Sequence, residues 1–343
     1  MAVAWGPPVR RGLRRAQIHT IEGSGGSFRA ALREALRRAP GIHPVHEGGT
    51  PLERRGGDRE APRMVDAQVV EDATLNARPV PGTPTPGFVA FLDGTQESRV
   101  LAWDLAAPIV VGRVAAAIRA RTTRHLATWR APIVEWRLYA PFAYTSPHPW
   151  VDYITAAATV DTSLPEPNGE PPPPHPAALL ERARQAVSRD RDALELRLAE
   201  TWCAAEDRPL FIDGGIGGSD KVARAPCAIG VIKSHRTLWV DRDALAIVLA
   251  LRSGERSSVI RIQPRGRASV YSWYLRLRSA TGHDSLWGLV RVEIAETQHI
   301  TTRADQVSRW ILAETVPLAL PDARWDKMVY GVRNTEEFLR AIT

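Results

Sequence analysis

Two short apolar runs in the second half of the chain each end at a charged residue. The run 210–212 ends at Asp213-Gly214, and the run 227–232 ends at Lys233. Apolar runs of this length that stop at glycine or polar residues are typical of buried strands. The pattern therefore predicts two buried strands, with a carboxylate at the end of the first and an ammonium at the end of the second.

The same design occurs earlier in the chain, where the apolar run 88–92 leads into Asp93-Gly94. Asp-Gly is a strong hairpin signal because both residues tolerate positive φ, so each instance can be a plain turn. On this interpretation the first strand ends at Gly94 and pairs with residues 98–105. The segment 108–130 is predicted to begin as a strand and to continue as a helix.

Helical periodicity is clearest in the segment 176–205, where apolar residues recur every three or four positions. Shorter patterns predict helices at 27–40 and 305–314, and a last helix after Thr335. The buried stripe of the first of these should contain Phe28, Leu32 and Leu36, with Ser27 as N-cap and Pro40 as the stop. The buried seam of the longest helix should contain Leu180, Ala183, Val187, Leu194, Leu198 and Trp202.

Alternating apolar and polar residues at 269–279 and 288–295 predict a β-pair near the end of the chain. At the other end, residues 1–80 are predicted to form a basic N-terminal arm with one helix, and residues 81–343 the main domain. Within that domain the proline run 161–176 favours extended polyproline II and is predicted to be a spacer. A partner-binding motif is the alternative for this run.

The charge balance favours a polyanionic partner. Net charge is +7 and the sequence pI is about 9.9, although the strong preference for arginine, with only three lysines, also reflects compositional bias. No apolar run approaches the roughly 20 residues of a membrane span, and no secretory signal is visible. Cys203 and Cys227 form neither a disulfide framework nor a zinc pattern, so a reducing cytoplasm is the expected location.

Asp93 and Asp213 are candidate metal ligands, because carboxylates at neighbouring strand ends can share divalent ions. Metal pairs of this kind activate water and stabilise the leaving oxygen of a phosphodiester. A third carboxylate can come from Glu195, which flanks the seam of the longest helix. The alternative for Glu195 is an ion pair with Arg191 on a solvated face. Three other glutamates are rivals for the role: Glu135, Glu200 and Glu293.

Lys233 is the fourth candidate, because an ammonium suits a scissile phosphate or a carboxylate cluster. Its alternative is a chance surface lysine. Trp129 and Trp136 are candidates for stacking on unpaired bases, with burial in the core as the alternative. No phosphate-binding P-loop, nucleophile-elbow or zinc-protease motif occurs in the sequence.

The order and separation of these motifs resemble those of the NurA nucleases. The similarity extends from about residue 85 to the C-terminus and rests on several short motifs rather than one long one. The motifs are FLDG at 91–94, the glutamate helix that ends near Trp202, LFIDGGI at 210–216, IGVIKSH at 229–235, YLRLR at 274–278 and RVEIA at 291–295.

The resemblance implies an α/β fold with an RNase H-like core, in which helices flank a mixed sheet, and a manganese-dependent nuclease site that can also use magnesium. It implies cleavage of single-stranded DNA and duplex DNA ends in end processing, repair or defence. It further implies a homodimer docked on a HerA-type hexameric ATPase. Carried over by motif, Asp93, Glu195 and Asp213 would be the metal ligands, and Lys233 would assist at the phosphate.

The chain departs from the NurA pattern near its C-terminus. The family closes with Tyr-Pro and a histidine in the next helix, whereas here Tyr330 precedes Gly331 and no histidine follows His299. Tyr330 is expected to keep its place near the site, but a catalytic histidine cannot be assigned. A catalytically weak or silent DNA-binding adaptor of the same ATPase complex is therefore a second hypothesis. A two-carboxylate glycosidase is a third, which neither the charge nor Lys233 favours.

Overall fold

A mixed β-sheet with helices against both faces forms the centre of the protein in its computed structural model. This arrangement confirms the α/β class and the mixed, helix-flanked sheet that the sequence resemblance implied. Among the described helices, none is both long and apolar enough to cross a membrane. The structure describes residues 30, 32–34, 36–37, 42–44, 50–51, 62–122, 125–145, 159–165, 171–263, 266–315 and 329–342.

The first half of the described chain is mainly β-structure, dominated by one long hairpin. Its strands are β1 (Ile42–Pro44), β2 (Thr50–Pro51), β3 (Arg63–Met64), β4 (Gln68–Val69), β5 (Ala77–Pro79), β6 (Ala90–Asp104), β7 (Ala107–Arg121), β8 (Leu126–Thr128), β9 (Ile133–Ala140) and β10 (Thr159–Asp161).

The second half alternates between helices and strands. In chain order the elements are α1 (Pro176–Ala205), β11 (Leu210–Asp213), α2 (Asp220–Ala223), β12 (Ala228–Ile232), β13 (Thr237–Leu238), α3 (Arg242–Leu249), β14 (Glu255–Ser257), β15 (Ile260–Ile262), β16 (Val270–Arg276), β17 (Leu289–Ile294), α4 (Ile300–Glu314) and α5 (Tyr330–Ile342).

Parallel and antiparallel strands meet in the middle of the sheet. The order is β10-β9-β7-β6-β11-β12-β17-β16-β14-β5. Strands β9, β7 and β6 are antiparallel neighbours, β11 lies parallel between β6 and β12, and β17 and β16 continue antiparallel. The β16–β17 pair confirms the predicted β-pair. Because β11 and β12 are parallel neighbours, their carboxyl ends lie at the same edge of the sheet.

The hairpin predicted at Asp93-Gly94 is wrong. Strand β6 continues through both residues to Asp104, and the chain reverses at Leu105, whose φ is 50°. Asp93 and Gly94 remain extended because they pair with Ala117 and Ala116 on β7. The helix predicted within 108–130 is also wrong, since β7 remains a strand as far as Arg121.

Helix α1 begins at Pro176 and ends at Ala205, which are the predicted bounds. Pro176 is tolerated in the first turn because its missing N–H has no intrahelical partner there, and His175 Nδ1 accepts from Ala177 N at 3.2 Å. The predicted seam is confirmed except at its start, where Leu179 rather than Leu180 is fully buried. The buried seam residues that were predicted are Ala183, Val187, Leu194, Leu198 and Trp202.

The remaining predicted helices differ from the structure mainly at their starts. Helix α4 begins five residues before the predicted Asp305, at Ile300, and α5 begins at Tyr330 rather than after Thr335. In the predicted N-terminal helix, Leu32 and Leu36 are buried as expected. Three of its predicted residues lie outside the described part of the chain: Ser27, Phe28 and Pro40.

The two faces of the sheet pack against different helices. Leu92 and Ile212 point to the face covered by α1 and α3, where they share a core with Leu194 and Trp202. The residues before them, Phe91 and Phe211, point to the opposite face, which α4 and α5 cover. This alternation follows from the two-residue period of a strand and decides which helix each polar residue of β6 and β11 meets.

The segment 62–79, which was predicted to be part of the arm, contributes strands. Strands β5 and β4 pair with β14 and β15 in the main sheet, and β3 pairs with β13 in a separate two-stranded sheet. Buried Arg256 fixes this segment by donating to both carboxylate oxygens of Glu71, at 2.7 and 2.8 Å, and to Asp305 at 2.7 Å. Residues 1–29 and the middle of the proline run, 166–170, lie outside the described residues.

Candidate active site

Asp93 and Asp213 are brought together by the parallel pairing of β6 and β11. Leu92 pairs with Ile212, so the two aspartates are the next residues on neighbouring strands. Neighbouring strands of a sheet lie about 4.8 Å apart. Both follow the direction of Phe91 and Phe211 toward the face covered by α4 and α5. Asp213 ends its strand as predicted, whereas Asp93 lies within a longer one.

Glu195 reaches the same region from the other face of the sheet. A Cβ placed on Gly94 would overlap the Glu195 carboxylate, so the absence of a side chain at Gly94 lets the glutamate lie against β6. The ion pair considered as an alternative is also present, with Arg191 Nε 3.3 Å from Glu195 Oε1. Glu195 is nevertheless not on a solvated face, because its side chain is only 15% exposed.

Burial and mutual repulsion make two of these carboxylates hard to ionise. Burial, reinforced by the charge of Asp213, raises the pKa of Asp93 to about 7. Burial, opposed by Arg191 but reinforced by Asp93, raises the pKa of Glu195 to about 8. Closely spaced carboxylates of this kind favour either a bound proton or a nearby cation.

Lys233 provides such a cation at the end of the neighbouring strand. It follows β12 directly, and its Nζ donates to Asp213 Oδ2 at 2.8 Å. Both side chains are about one-fifth exposed, at 20% and 22%. The prediction that the aspartate ends one strand and the lysine follows the next therefore matches the structure, which also makes the two strands neighbours, and Lys233 is not an isolated surface residue.

Helix α5 brings a carboxylate that sequence reasoning missed. The charge of Glu336 also acts on Asp93 and contributes to its raised pKa. The helix can approach β6 closely because Gly331 has no side chain. A Cβ at that position would overlap the Phe91 ring. From sequence, Glu336 looks like one of two solvated glutamates, and Gly331 was the only available signal of close packing. Tyr330 begins the helix 48% exposed and makes no hydrogen bond to the carboxylates among the described residues.

The three rival glutamates have other structural roles. Glu135 binds Arg137 and Arg197, each at 2.7 Å. Glu200 accepts from the Ser219 hydroxyl at the start of α2. Glu293 is buried, accepts from Ile216 N at 2.8 Å and pairs with Arg291 at 2.6 Å, so it anchors the glycine-rich loop that follows Asp213.

The carboxylates do not converge on a single point. In the part of the chain that the structure describes, no three His, Cys, Asp or Glu side chains lie close enough together to hold one metal ion. Asp93 and Asp213 share one face of the sheet, whereas Glu195 approaches from the other. The oxygen donors are of the type that Mn²⁺ and Mg²⁺ prefer, but three of them would have to move closer together to share an ion.

A cleft of about 610 Å³ opens beside Asp213 and Glu195. Glu293 also lines it, so the loop anchor and the candidate site share one wall. The arginines in its lining come from well-separated segments of the chain. Sequence reasoning singled out only Arg191, because tertiary packing is what brings the others to the cleft. The arginines of the lining are Arg63, Arg191, Arg236, Arg267 and Arg291.

The two candidate stacking tryptophans lie partly buried and away from this cleft. Trp129 contacts Trp202 edge-on, with ring centroids 4.9 Å apart, and donates to Glu206 at 3.2 Å. Trp136 packs beside Arg113, whose guanidinium lies 5.3 Å from the ring centroid. Both positions agree with the packing alternative.

Comparison with protein-family models finds no match for this chain, and comparison with curated proteins finds none either. The function of the protein must therefore be inferred from the geometry of the site and from the order of the motifs in the sequence.

Proposed function

We propose that this protein is a metal-dependent DNA nuclease of the NurA type, with an RNase H-like core. The observation that carries the proposal is the adjacency of Asp93 and Asp213 on parallel strands, with the Lys233 ammonium bound to Asp213. The antiparallel β9-β7-β6 strands, the parallel strands β11 and β12 and the helices on both faces support this choice of core.

Asp93, Asp213 and Glu195 are the residues that would hold the metal. A divalent ion bound there, Mn²⁺ or Mg²⁺, would supply an activated water and stabilise the leaving oxygen of a phosphodiester. Lys233 holds Asp213 in place and carries a compact positive charge that suits a phosphate oxygen. Arg191 orients Glu195 from the preceding turn of α1.

The arginine-lined cleft would bind the DNA backbone next to these residues. Arg191 pairs with Asp192 and Glu195, and Arg291 pairs with Glu293. Arg236 and Arg267 line the same cleft without an acidic partner among the described residues. Arginine in such a position binds phosphate by charge-assisted, often bidentate, hydrogen bonds. The volume of the cleft, about 610 Å³, can hold a short length of single strand, so unpaired DNA is the first substrate to test.

A homodimer and a HerA-type hexameric ATPase complete the proposal, on the strength of the sequence resemblance alone. Mass photometry of the protein with and without a HerA-type ring tests this part separately. A complex of defined stoichiometry supports the partnership. Absence of a complex removes the partnership and leaves the nuclease proposal in place.

The decisive experiment measures cleavage of end-labelled single-stranded and duplex DNA with Mn²⁺, Mg²⁺ or chelator. Loss of a residue that only supports a metal ligand typically costs roughly 10–100-fold, so Asp93→Asn and Asp213→Asn should each lose at least about 100-fold. Asp207→Asn, at an exposed position, is the matched control. If both active-site variants cleave as fast as the parent, the nuclease assignment to these residues is wrong.

A DNA-binding adaptor without catalysis is the second candidate. It is favoured by the pairing of Asp213 with Lys233 and of Glu195 with Arg191, because carboxylates that already have cationic partners also suit a silent site. This candidate predicts DNA binding with no metal-dependent cleavage by the parent protein under any of the conditions above.

A further inference from the structure

The only two cysteines of the chain meet in the folded protein. Cys203 and Cys227 are separated by 24 positions, yet their sulfur atoms lie 3.7 Å apart and are not bonded. Sequence reasoning found no disulfide framework, because two cysteines alone carry no spacing signal. Their proximity in space makes them a dithiol.

The two thiols differ in surroundings. Cys203 lies in the last turn of α1 and is partly exposed, whereas Cys227 precedes β12 and is 6% exposed. Arg303 lies beside the second thiol, where its Nη2 donates to the Pro226 carbonyl at 2.8 Å. The dithiol is therefore reachable from solvent on the Cys203 side and has a guanidinium on the Cys227 side.

Electrostatics favours Cys227 as the thiolate of the pair. The sulfur–sulfur hydrogen bond lowers the pKa of Cys227, and Arg303 acts in the same direction. The same hydrogen bond, together with burial, raises the pKa of Cys203. A thiolate next to a protonated thiol is the arrangement that reacts in two steps to form a disulfide.

We propose that Cys203 and Cys227 are a redox modification site that forms a reversible intramolecular disulfide on exposure to a hydroperoxide. The Cys227 thiolate attacks the peroxide oxygen, which gives a sulfenic acid and hydroxide. The Cys203 sulfur then attacks the sulfenic sulfur and expels a second hydroxide. The proton released when Cys227 ionises and the one lost from Cys203 convert the two hydroxides to water, so two thiols and H₂O₂ give one disulfide and two waters.

The disulfide would link the two elements that flank the candidate active site. Helix α1 carries Glu195, β12 leads to Lys233, and the loop closed between the cysteines contains β11 with Asp213. Closing a loop of this length stabilises a protein mainly by restricting its unfolded state. The sulfurs need to approach from 3.7 Å to about 2.05 Å for the bond to form.

The test treats reduced, full-length protein with a small excess of H₂O₂, alkylates the remaining thiols and maps the products by mass spectrometry without reduction. We expect loss of two hydrogen atoms from the monomer, a linked peptide pair containing Cys203 and Cys227, and a melting temperature about 5 °C higher. A thiol reductant should reverse all three changes.

Cys203→Ala and Cys227→Ala should each abolish the linked peptide and the rise in melting temperature. The wild-type result stands by itself if either variant fails to fold. Cross-links only between molecules, or oxidation of Cys203 to a sulfinic acid while Cys227 remains a thiol, would overturn the proposal. DNA cleavage plays no part in these readouts, so this proposal and the nuclease proposal succeed or fail independently.

Discussion

At the scale of single residues, Asp93 makes the folded state less stable at neutral pH than at mildly acidic pH. Its pKa is raised by burial, first of all, and by the charge of Asp213, from an ordinary value near 3.8 to about 7. Between these values the folded state binds more protons than the unfolded state, so stability falls as pH rises through this window.

Removing the Asp93 charge should therefore stabilise the protein without metal. We expect Asp93→Asn to raise the free energy of unfolding at pH 8 by on the order of 1–4 kcal/mol in chelator. The gain should shrink toward zero near pH 4. Urea unfolding across this pH range measures it, with exposed Asp207→Asn as the control. A gain that does not change with pH would show that Asp93 is not a buried, repelled carboxylate.

Glu336 gives a second prediction at this scale. If it helps to hold a divalent ion near Asp93, Glu336→Gln should weaken Mn²⁺ binding, measured by calorimetry, and slow DNA cleavage by roughly 10–100-fold. Glu337→Gln, one residue further on an exposed face and paired with Arg333, should do neither. Equal effects of the two substitutions would show that Glu336 acts only through its negative charge and does not help to hold the ion.

At the scale of elements, the path of the chain between β11 and β12 depends on glycine. Gly214 has φ of +149°, and a Cβ on Gly230 would come within 2.6 Å of the Gly214 carbonyl oxygen. The backbones of the two strands therefore approach each other at a point where no side chain fits. This close approach fixes Asp213 beside Lys233.

Gly230→Ala should consequently destabilise the fold. Overpacking of a rigid core typically costs 1–3 kcal/mol, and here the obstacle is backbone that cannot rotate away. Gly218→Ala is the matched control, because its Cβ would meet only the Leu196 side chain at 3.4 Å. Chemical denaturation of both variants measures the difference. Equal stability of the two variants would contradict the tight β11–β12 contact.

The elements also show where sequence patterns are sufficient. Helix α1 could be predicted to the residue because its seam, its proline start and its length all agree. Strand β7 was mistaken for a strand followed by a helix, because alanine has a high helix propensity and the strand is buried on both faces, which removes polar alternation. Asp93-Gly94 was mistaken for a turn because the pairing of β6 with β7 continues through both residues and overrides the local turn preference.

At the scale of the whole molecule, the arginine-lined cleft predicts salt-sensitive binding of single-stranded DNA. Each phosphate contact to a single strand contributes about 0.7 to the slope of log affinity against log salt. We expect Arg236→Ala and Arg267→Ala each to reduce the magnitude of this slope by roughly that amount for fluorescent oligo(dT), with binding measured by fluorescence anisotropy in chelator. Arg208→Ala is the control. Arg208 precedes β11, at the end of that strand opposite to Asp213 and the cleft, so its loss should leave the slope unchanged.

The sequence indicated the candidate site at Asp93, Asp213 and Lys233, which follow apolar runs, and at Glu195, which flanks the seam of the longest helix. Asp213 and Lys233 could be assigned to the ends of two successive strands, whereas their position side by side follows from the parallel pairing of those strands. Glu336 and the cleft arginines other than Arg191 could not be placed at the site, because they come from the arm, separate loops, β17 and the last helix, and only the packing of those parts relates them. The net charge of the chain indicated a polyanionic partner but not the surface that binds this partner.

The pairing of β6 with β11 also has a consequence for how the protein matures. Phe91 and Phe211, which are register partners, are about 120 positions apart in the chain, and closing so large a loop delays contact formation during folding. A ribosome must therefore release most of the polypeptide before the two aspartates can meet. Neither half of the chain expressed alone can contain both aspartates. Two fragments divided within the proline run would bring the aspartates together only by associating.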